Sequence, residues 1–414
     1  MKILFLTPQL PHPPRQGTQI RNLHIIRGAA LAHQVDLLSF ARPGEDFDSA
    51  GPLRQTCGRI MLVPAPRRRA QDRLRTLATT QQPDIAHRLP SAAFTATLEA
   101  ALKNGGYDAV QVEGIEMARY IPVVRTMAPR ILLVFDDHNA EYVLQGRAAS
   151  VDAERPSSWP KAFYSLVQWQ RLRRYETRVC NLADAVLAVS DGDADSLRSL
   201  GITTPVAVVP NGVDTEYYQP IPNGSVRDPG GLLFTGTMDF RPNVDAMVWF
   251  ATEVLPLVVE ERPDVHLFIV GRSPSPAVLR LADRNPRVTV TGPVDDVRPF
   301  FGRCSLFVVP IRMAGGARLK VLEALAMGMP MVSTSIGAEG IELADGREVV
   351  LADGREDFAN ALLKLLEAPS LQRPLSQAGR LAAEQRFSWD QVAPRLLKVY
   401  EEHTRQKQDG EGEI

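Results

Sequence analysis

The sequence predicts two doubly wound α/β domains in tandem, and three observations carry that prediction. Short apolar strands alternate with helical stretches along nearly the whole chain, the pattern of a parallel sheet covered by helices. The alternation is interrupted once, by a stretch rich in proline, glycine and polar residues, as a linker would be. The length of 414 residues exceeds what one hydrophobic core supports.

Taken in order, KILFLTP is a buried strand, QLPHPPRQGTQ a long loop, and IRNLHIIRGAALA a helix. HQVDLLSF, RIMLVPA, DAVQVEG and RILLVF follow as strands, with a helix around Ala118 to Met127. ADAVLAVS and PVAVVPNGVD complete the first series, separated by the helix DGDADSLRSLG, for which Asp191 or Asp193 is the expected cap. Residues 213–228 read as the linker between a first domain, 1–212, and a second, 229–387. The second series runs GLLFTGT, HLFIVGR, RVTVTGP, CSLFVVP, MPMVSTS and REVVLA, with helices including DAMVWFATEVLPLVVEER and FANALLKLLE between them. A closing helix is expected over about 388–406, and a disordered polar tail over 407–414. Ligands of such sheets sit at the carboxyl ends of the strands, so a cleft between two facing domains is the expected site.

Composition excludes several classes. A hydrophobic content of 44% and a charged content of 23% are ordinary for a soluble globular chain. A net charge of −1 argues against a dedicated nucleic-acid binder. Cys57, Cys180 and Cys304 are far apart with no CxxC, which fits a reducing compartment and supplies no metal framework. MKILFLTPQLPHPP reads as a first strand rather than a signal peptide. No apolar run approaches the ~20 residues of a membrane span. The expectation is a cytoplasmic protein.

The most informative stretch is PIRMAGGARLKVLEALAMGMPMVST. It reads as strand end, glycine loop (Gly315-Gly316), helix from about Arg318 to Met327, left-handed cap at Gly328, and next strand. A glycine loop feeding a helix N-terminus after a parallel strand suits an anion. Glu323 lies on an otherwise apolar helix and needs donors. Either Lys320, three residues earlier, pairs with it for about 0.3 kcal/mol, or ligand hydroxyls do. Arg318 and Lys320 add positive charge, as a diphosphate requires. Arg241 sits in the loop before a helix expected around Asn243 to Ala246, either as an exposed arginine or as a phosphate contact. In the first loop, Gly17 precedes a helix and offers N–H groups to an anion, while Arg15 and Arg21 read as solvated charges. His138 follows the strand ILLVF, either as a satisfied structural histidine or as a catalytic one, with Asp136, Asp137 and Glu141 able either to orient its ring or to bind elsewhere. Arg67, Arg68, Arg69, Arg73 and Arg75 form a basic run, either a solvated surface or a contact for anionic lipid. No GxxxxGK[ST], no GxGxxG after the first strand and no GxSxG occurs.

Together these pieces resemble the GT-B retaining glycosyltransferases, specifically glycosyltransferase family 4, in a branch with GG-R-K wording. GGARLKVLEALAMGMPMVSTSIGAEGI resembles that family's donor-sugar-nucleotide motif, and ADAVLAVSDGD, VVPNGVDTEYYQP and GTMDFRPNVDAMVWF are similar in wording and order. FSWDQVAPRLLKVYEE resembles the closing helix that crosses back onto the first domain. The resemblance implies GT-B architecture, two Rossmann-like domains facing a central cleft. It implies that Glu323 binds the nucleotide ribose, that Arg241 and Lys320 meet the diphosphate, and that Gly316 and Arg318 belong to the donor site. It also implies that His138 lies near the anomeric centre, Gly17 near the diphosphate, and the Val294 backbone at the base. The first of the motif's two glutamates would fall at position 315, where this chain has Gly315, and Thr237 stands where arginine is common. The implied reaction needs no cofactor and no metal: a sugar moves from a nucleotide diphosphate sugar to a glycan or lipid-linked acceptor with retention. Peripheral membrane contact through Arg67–Arg75 goes with that setting. A GT-B-type epimerase and a catalytically silent nucleotide-sugar-binding protein are the alternatives.

Overall fold

The computed structural model describes residues 1–68, 72, 76, 79–153, 159–221, 228–313 and 318–411. The chain divides into two compact units: Met1–Pro210 with Val392–Ile414, and Asn211–Gln391.

The N-terminal unit is built on seven parallel strands. They are β1 (Lys2–Thr7), β2 (Gln34–Ala41), β3 (Arg59–Pro64), β4 (Ala109–Glu113), β5 (Leu132–Asp137), β6 (Ala185–Ala188) and β7 (Val206–Val208). Their order in the sheet is β3-β2-β1-β4-β5-β6-β7. β1, β4 and β5 are buried along almost their full length, as strands covered on both faces must be, which is why they read as apolar runs. The winding reverses between β1 and β4, and the crevice at that reversal is where such sheets bind ligands.

The C-terminal unit repeats the plan. Its strands are β8 (Asp228–Thr235), β9 (His266–Val270), β10 (Val288–Val290), β11 (Cys304–Val309), β12 (Met331–Ser333) and β13 (Val350–Leu351). They lie in the order β10-β9-β8-β11-β12-β13, all parallel. Here the reversal falls between β8 and β11. The helix after β8 and the helix after β11 are therefore neighbours, although 77 residues separate Asn243 from Lys320.

Several local expectations are corrected. Ser190, not Asp191 or Asp193, caps the helix Asp191–Ser199, its hydroxyl accepting from the Asp193 N–H. Arg241 is the first residue of its helix and not part of the preceding loop. That helix continues through a π-helical turn, Phe250–Val254, to Glu261. By length and composition alone the stretch Arg241–Glu261 could cross a membrane. Its Phe250, Val254, Leu255 and Val258 are buried in the core of the C-terminal unit. The final helix, Trp389–Glu411, runs five residues into the expected tail. Gly328 has φ +63°, as the helix-ending position requires.

The start of the expected linker is ordered. Val213 bridges Ser388, and the Asp214 carboxylate accepts from the N–H groups of Glu216 and Tyr217. Arg380 donates to the carbonyls of Thr215, Tyr218 and Ala326. One guanidinium thus ties this segment to the end of the helix Leu319–Ala326.

Candidate active site

In the C-terminal unit, charged groups gather at the β8/β11 reversal. Lys320, in the first turn of the helix Leu319–Ala326, donates to Asn243 Oδ1 at 2.7 Å. Its ammonium lies 4.0 Å from the centre of the Phe234 ring, a cation–π contact. Asn243 is itself oriented, since its Nδ2 donates to the Thr237 carbonyl at 2.9 Å, leaving Oδ1 for the lysine. Gly236 makes this approach feasible. Its φ is +152°, and a Cβ there would sit 2.9 Å from both Lys320 Nζ and Asn243 Nδ2. Burial pulls the Lys320 pKa down to about 7; the Arg318 charge adds to this and Glu323 opposes it.

Glu323 accepts at Oε1 from the Tyr218 hydroxyl at 3.1 Å. Burial raises its pKa, while the Tyr218 hydrogen bond and Lys320 work the other way. Lys320 lies near enough to act through its charge, yet the side-chain hydrogen bonds of the two residues go to Asn243 and Tyr218.

In the N-terminal unit the groups gather at the β1/β4 reversal and its neighbour β5. His138 lies 3.1 Å from Glu113 Oε2 through Nε2, the histidine 13% exposed and the glutamate fully buried. Glu113 also accepts at Oε1 from Gln111 Nε2 at 2.7 Å. The Asn22 amide, with its nitrogen turned inward, lies 3.0 Å from Glu113 Oε2. Beside them Arg21 clamps Asp136 with two hydrogen bonds, 3.0 and 2.9 Å, and donates to the Val209 and Pro210 carbonyls. Burial alone would lower the His138 pKa; the Glu113 hydrogen bond and the Asp136 and Glu113 charges overcome it and raise it. Burial raises that of Glu113, and the Asp136 charge adds to the rise.

Glu113, Asp136 and His138 place ligand atoms within 4.8 Å of one another. Both Asp136 oxygens are already taken by a guanidinium, however, so the trio's chemistry suits a held imidazole better than a metal.

The turn carrying His138 is anchored from below. Asp193 accepts from the Ala140 N–H, and Glu176 from those of Glu141 and Tyr142, which also caps the helix Glu141–Ala153. Asp137 is buried beside Glu176; burial, then the Glu176 charge, drive its pKa well up, and burial takes Glu176 to about 8.

The expected site residues divide accordingly. Lys320 and Glu323 occupy one helix, with Arg318 as its N-cap residue, donating to the Ile336 carbonyl. Arg241 is exposed at the start of its helix. Val294 packs against the core of the same unit. Gly17 begins the helix that carries Arg21 and Asn22. Gly315 and Gly316 lie outside the described residues, as do Arg69, Arg73 and Arg75. Arg68 is not a free surface charge but pairs with Asp84 at 2.8 Å.

One reading from sequence is overturned: Arg21 is 2% exposed and ion-paired, not solvated. His138 is oriented by Glu113, while Asp136 is held by Arg21 and Glu141 Oε1 accepts from Asn139. Glu113 did leave a signal, as a lone acid closing an apolar strand. Tyr218 is not singled out, although it lies in VVPNGVDTEYYQP, because that stretch also opens the expected linker.

Two sheets of this strand order, each with polar groups at its reversal, define the GT-B class of fold. A model of Glycosyltransferase Family 4 matches residues 16–217, and one of Glycosyl transferases group 1 matches residues 229–368. Between them they account for most of the chain, which belongs to glycosyltransferase family 4. D-inositol 3-phosphate glycosyltransferase 2 from Catenulispora acidiphila is 30% identical over 54% of this chain and 57% of its own. The chain spans about half the length of the curated relatives it matches. The sucrose-phosphate synthase structure from Thermosynechococcus elongatus superposes with a TM-score of 0.73 over 98% of this chain and 100% of that one, at 17% identity. HepE from Anabaena, in complex with UDP-glucose, superposes at 0.65 over 97% and 100%, at 16% identity. At these identities the likeness is one of fold.

Proposed function

We propose that the protein is a retaining glycosyltransferase that moves a hexosyl group from a nucleoside diphosphate sugar to a glycan or lipid-linked acceptor. The observation that carries this reading is the Lys320–Asn243 contact at the β8/β11 reversal, with Glu323 one turn further along the same helix. The diphosphate would meet Lys320, Arg241 and the N-terminal N–H groups of their two helices. The second oxygen of Glu323 would accept from the ribose hydroxyls. In the N-terminal unit, His138 is assigned to the transferred sugar. The likeness to a D-inositol 3-phosphate glycosyltransferase supports glycosyl transfer as the reaction, and HepE, of the same fold, binds UDP-glucose.

In the step proposed, the bond from the anomeric carbon to the leaving phosphate oxygen breaks, and a bond to the acceptor oxygen forms on the same face. The acceptor proton passes to the departing phosphate. The protein supplies position and charge rather than a covalent nucleophile, and Lys320 and Arg241 do the work that a metal ion does elsewhere. Polysaccharide or cell-envelope glycoconjugate assembly in the cytoplasm, with peripheral membrane contact through the Arg67–Arg75 segment, goes with this reading.

The test is a panel of nucleotide hexoses, first by thermal shift, since a bound ligand raises the unfolding temperature, then by transfer to candidate acceptors. A product with the donor's anomeric configuration, formed equally well in EDTA, is expected. An inverted product would overturn the stereochemical assignment, and loss of transfer in EDTA would overturn the metal-free one. An epimerised donor without acceptor would indicate an isomerase. Tight nucleotide binding without transfer or hydrolysis would indicate a silent binding protein.

A further inference from the structure

His138 stands at one end of a line of buried side chains that begins on the last helix of the protein. The Tyr400 hydroxyl donates to Gln111 Oε1. Gln111 Nε2 donates to Glu113 Oε1 at 2.7 Å, and Glu113 Oε2 meets His138 Nε2 at 3.1 Å. Tyr400, Gln111 and Glu113 are each fully buried. Gln111 and Glu113 are two residues apart on β4, so both side chains leave the same face of the strand. Tyr400 is 289 residues further on, in the part of the last helix that belongs to the N-terminal unit.

The line has a direction. A tyrosine hydroxyl kept protonated is a donor. Burial raises the Tyr400 pKa far up, and the Glu113 and Asp136 charges raise it further. Its donation occupies the Gln111 oxygen and so decides which end of that amide faces Glu113. The nitrogen faces it, and a carboxylate receiving N–H groups is favoured as the anion. An anionic Glu113 accepts from a protonated His138 Nε2 at 3.1 Å, in competition with the Asn22 amide, whose inward-turned nitrogen lies 3.2 Å from the same ring nitrogen; Nδ1 is then the other ring position. Without Tyr400 the Gln111 amide is free to turn its oxygen on Glu113, which favours the neutral acid.

We propose that Tyr400 and Gln111 are positioning residues for His138, so that the C-terminal helix sets the tautomer and charge of the group assigned to the transferred sugar. The consequence for reactivity rests on the function proposed above; the effect on the imidazole does not. The charged groups bearing on His138 are Glu113 from β4, Asp136 from β5, Arg21 from the helix Gly17–Ala30 and Glu141 from the helix Glu141–Ala153. Asp136 and Arg21 neutralise one another, so Glu113 is the partner through which Tyr400 acts.

The experiment is a pH titration of the full chain labelled with ¹⁵N-histidine, read by long-range ¹H–¹⁵N NMR, with His138 assigned by its loss in His138→Gln. Nucleotide sugar is absent, so the result does not depend on whether the protein transfers sugar. In the wild type, the neutral ring is expected to show the Nε2–H tautomer. Tyr400→Phe keeps the ring that packs edge-on against His33 at 5.5 Å and removes only the hydroxyl. It is expected to lower the His138 midpoint by about half a unit or more and to mix the tautomers. Gln111→Leu should do so to a greater extent, while His266, in the other unit, stays in place. An unchanged His138 midpoint and tautomer in a folded Tyr400→Phe protein would overturn the proposal. If Tyr400→Phe fails to fold, an unchanged pair of values in Gln111→Leu or Gln111→Met would do the same. Where transfer is measurable, the acidic limb of the kcat profile moves with the midpoint.

Discussion

The two strand-order reversals hold their charged groups in opposite ways. In the C-terminal unit, Lys320 and Glu323 are half-buried and each has one side-chain hydrogen bond among those described, to Asn243 and to Tyr218. In the N-terminal unit, Glu113 is buried and met by Gln111, Asn22 and His138, while Asp136 has both oxygens on Arg21. One group is under-coordinated, as groups that take up a ligand must be. The other is complete within the protein, as a scaffold for one exposed imidazole edge must be. Charge alone does not mark a binding site; the number of partners a charge already has is more informative.

This contrast can be broken most severely at Arg21. Arg21→Ala leaves Asp136 buried without its partner and is expected to cost about 3–5 kcal/mol of stability, read by urea denaturation. A loss below about 1 kcal/mol would mean that water already reaches the carboxylate. Asp136→Asn with Arg21→Met should recover part of the loss, because neither charge is then left alone.

On the other side, Lys320→Ala and Glu323→Ala should leave the unfolding temperature nearly unchanged yet cut donor turnover by well over tenfold, or more than about 1.4 kcal/mol in the transition state. Near-wild-type transfer by both variants would remove them from the site.

The lysine also makes binding pH-dependent. With its pKa lowered by burial to about 7, Lys320 is charged below pH 7 and must take up a proton on meeting a diphosphate above it. UDP affinity, by calorimetry, should therefore fall between pH 7 and pH 9, by about threefold to tenfold. Lys320→Arg, charged throughout, should flatten the profile. A wild-type affinity constant over that range would show that the ammonium is not a phosphate ligand. Tyr218→Phe is the smallest change. It removes one hydroxyl from Glu323 and should raise the donor KM a few-fold, on the order of 1 kcal/mol, with kcat little altered.

Much of this molecule is legible in one dimension. Strand and helix periods announce two parallel sheets, since strands buried on both faces are apolar throughout. The glycine-led helix of Lys320 and Glu323 is recognisable because a helix N-terminus beside a parallel strand is a local arrangement. The family resemblance follows from several such local strings in order. What the sequence does not display is the pairing: Glu113 with His138 across 25 residues, Lys320 with Asn243 across 77, Tyr218 with Glu323 across 105, Arg21 with Asp136 across 115, and Tyr400 with Gln111 across 289. No period in the chain encodes these. They arise because a doubly wound sheet sets β1, β4 and β5 side by side and β8 beside β11, because Arg380 ties the Tyr218 segment to the helix of Glu323, and because the last helix returns to the first unit. Residue type and local pattern decide which groups can carry charge. Only the strand order decides which of those charges are answered from within the protein and which remain for a ligand.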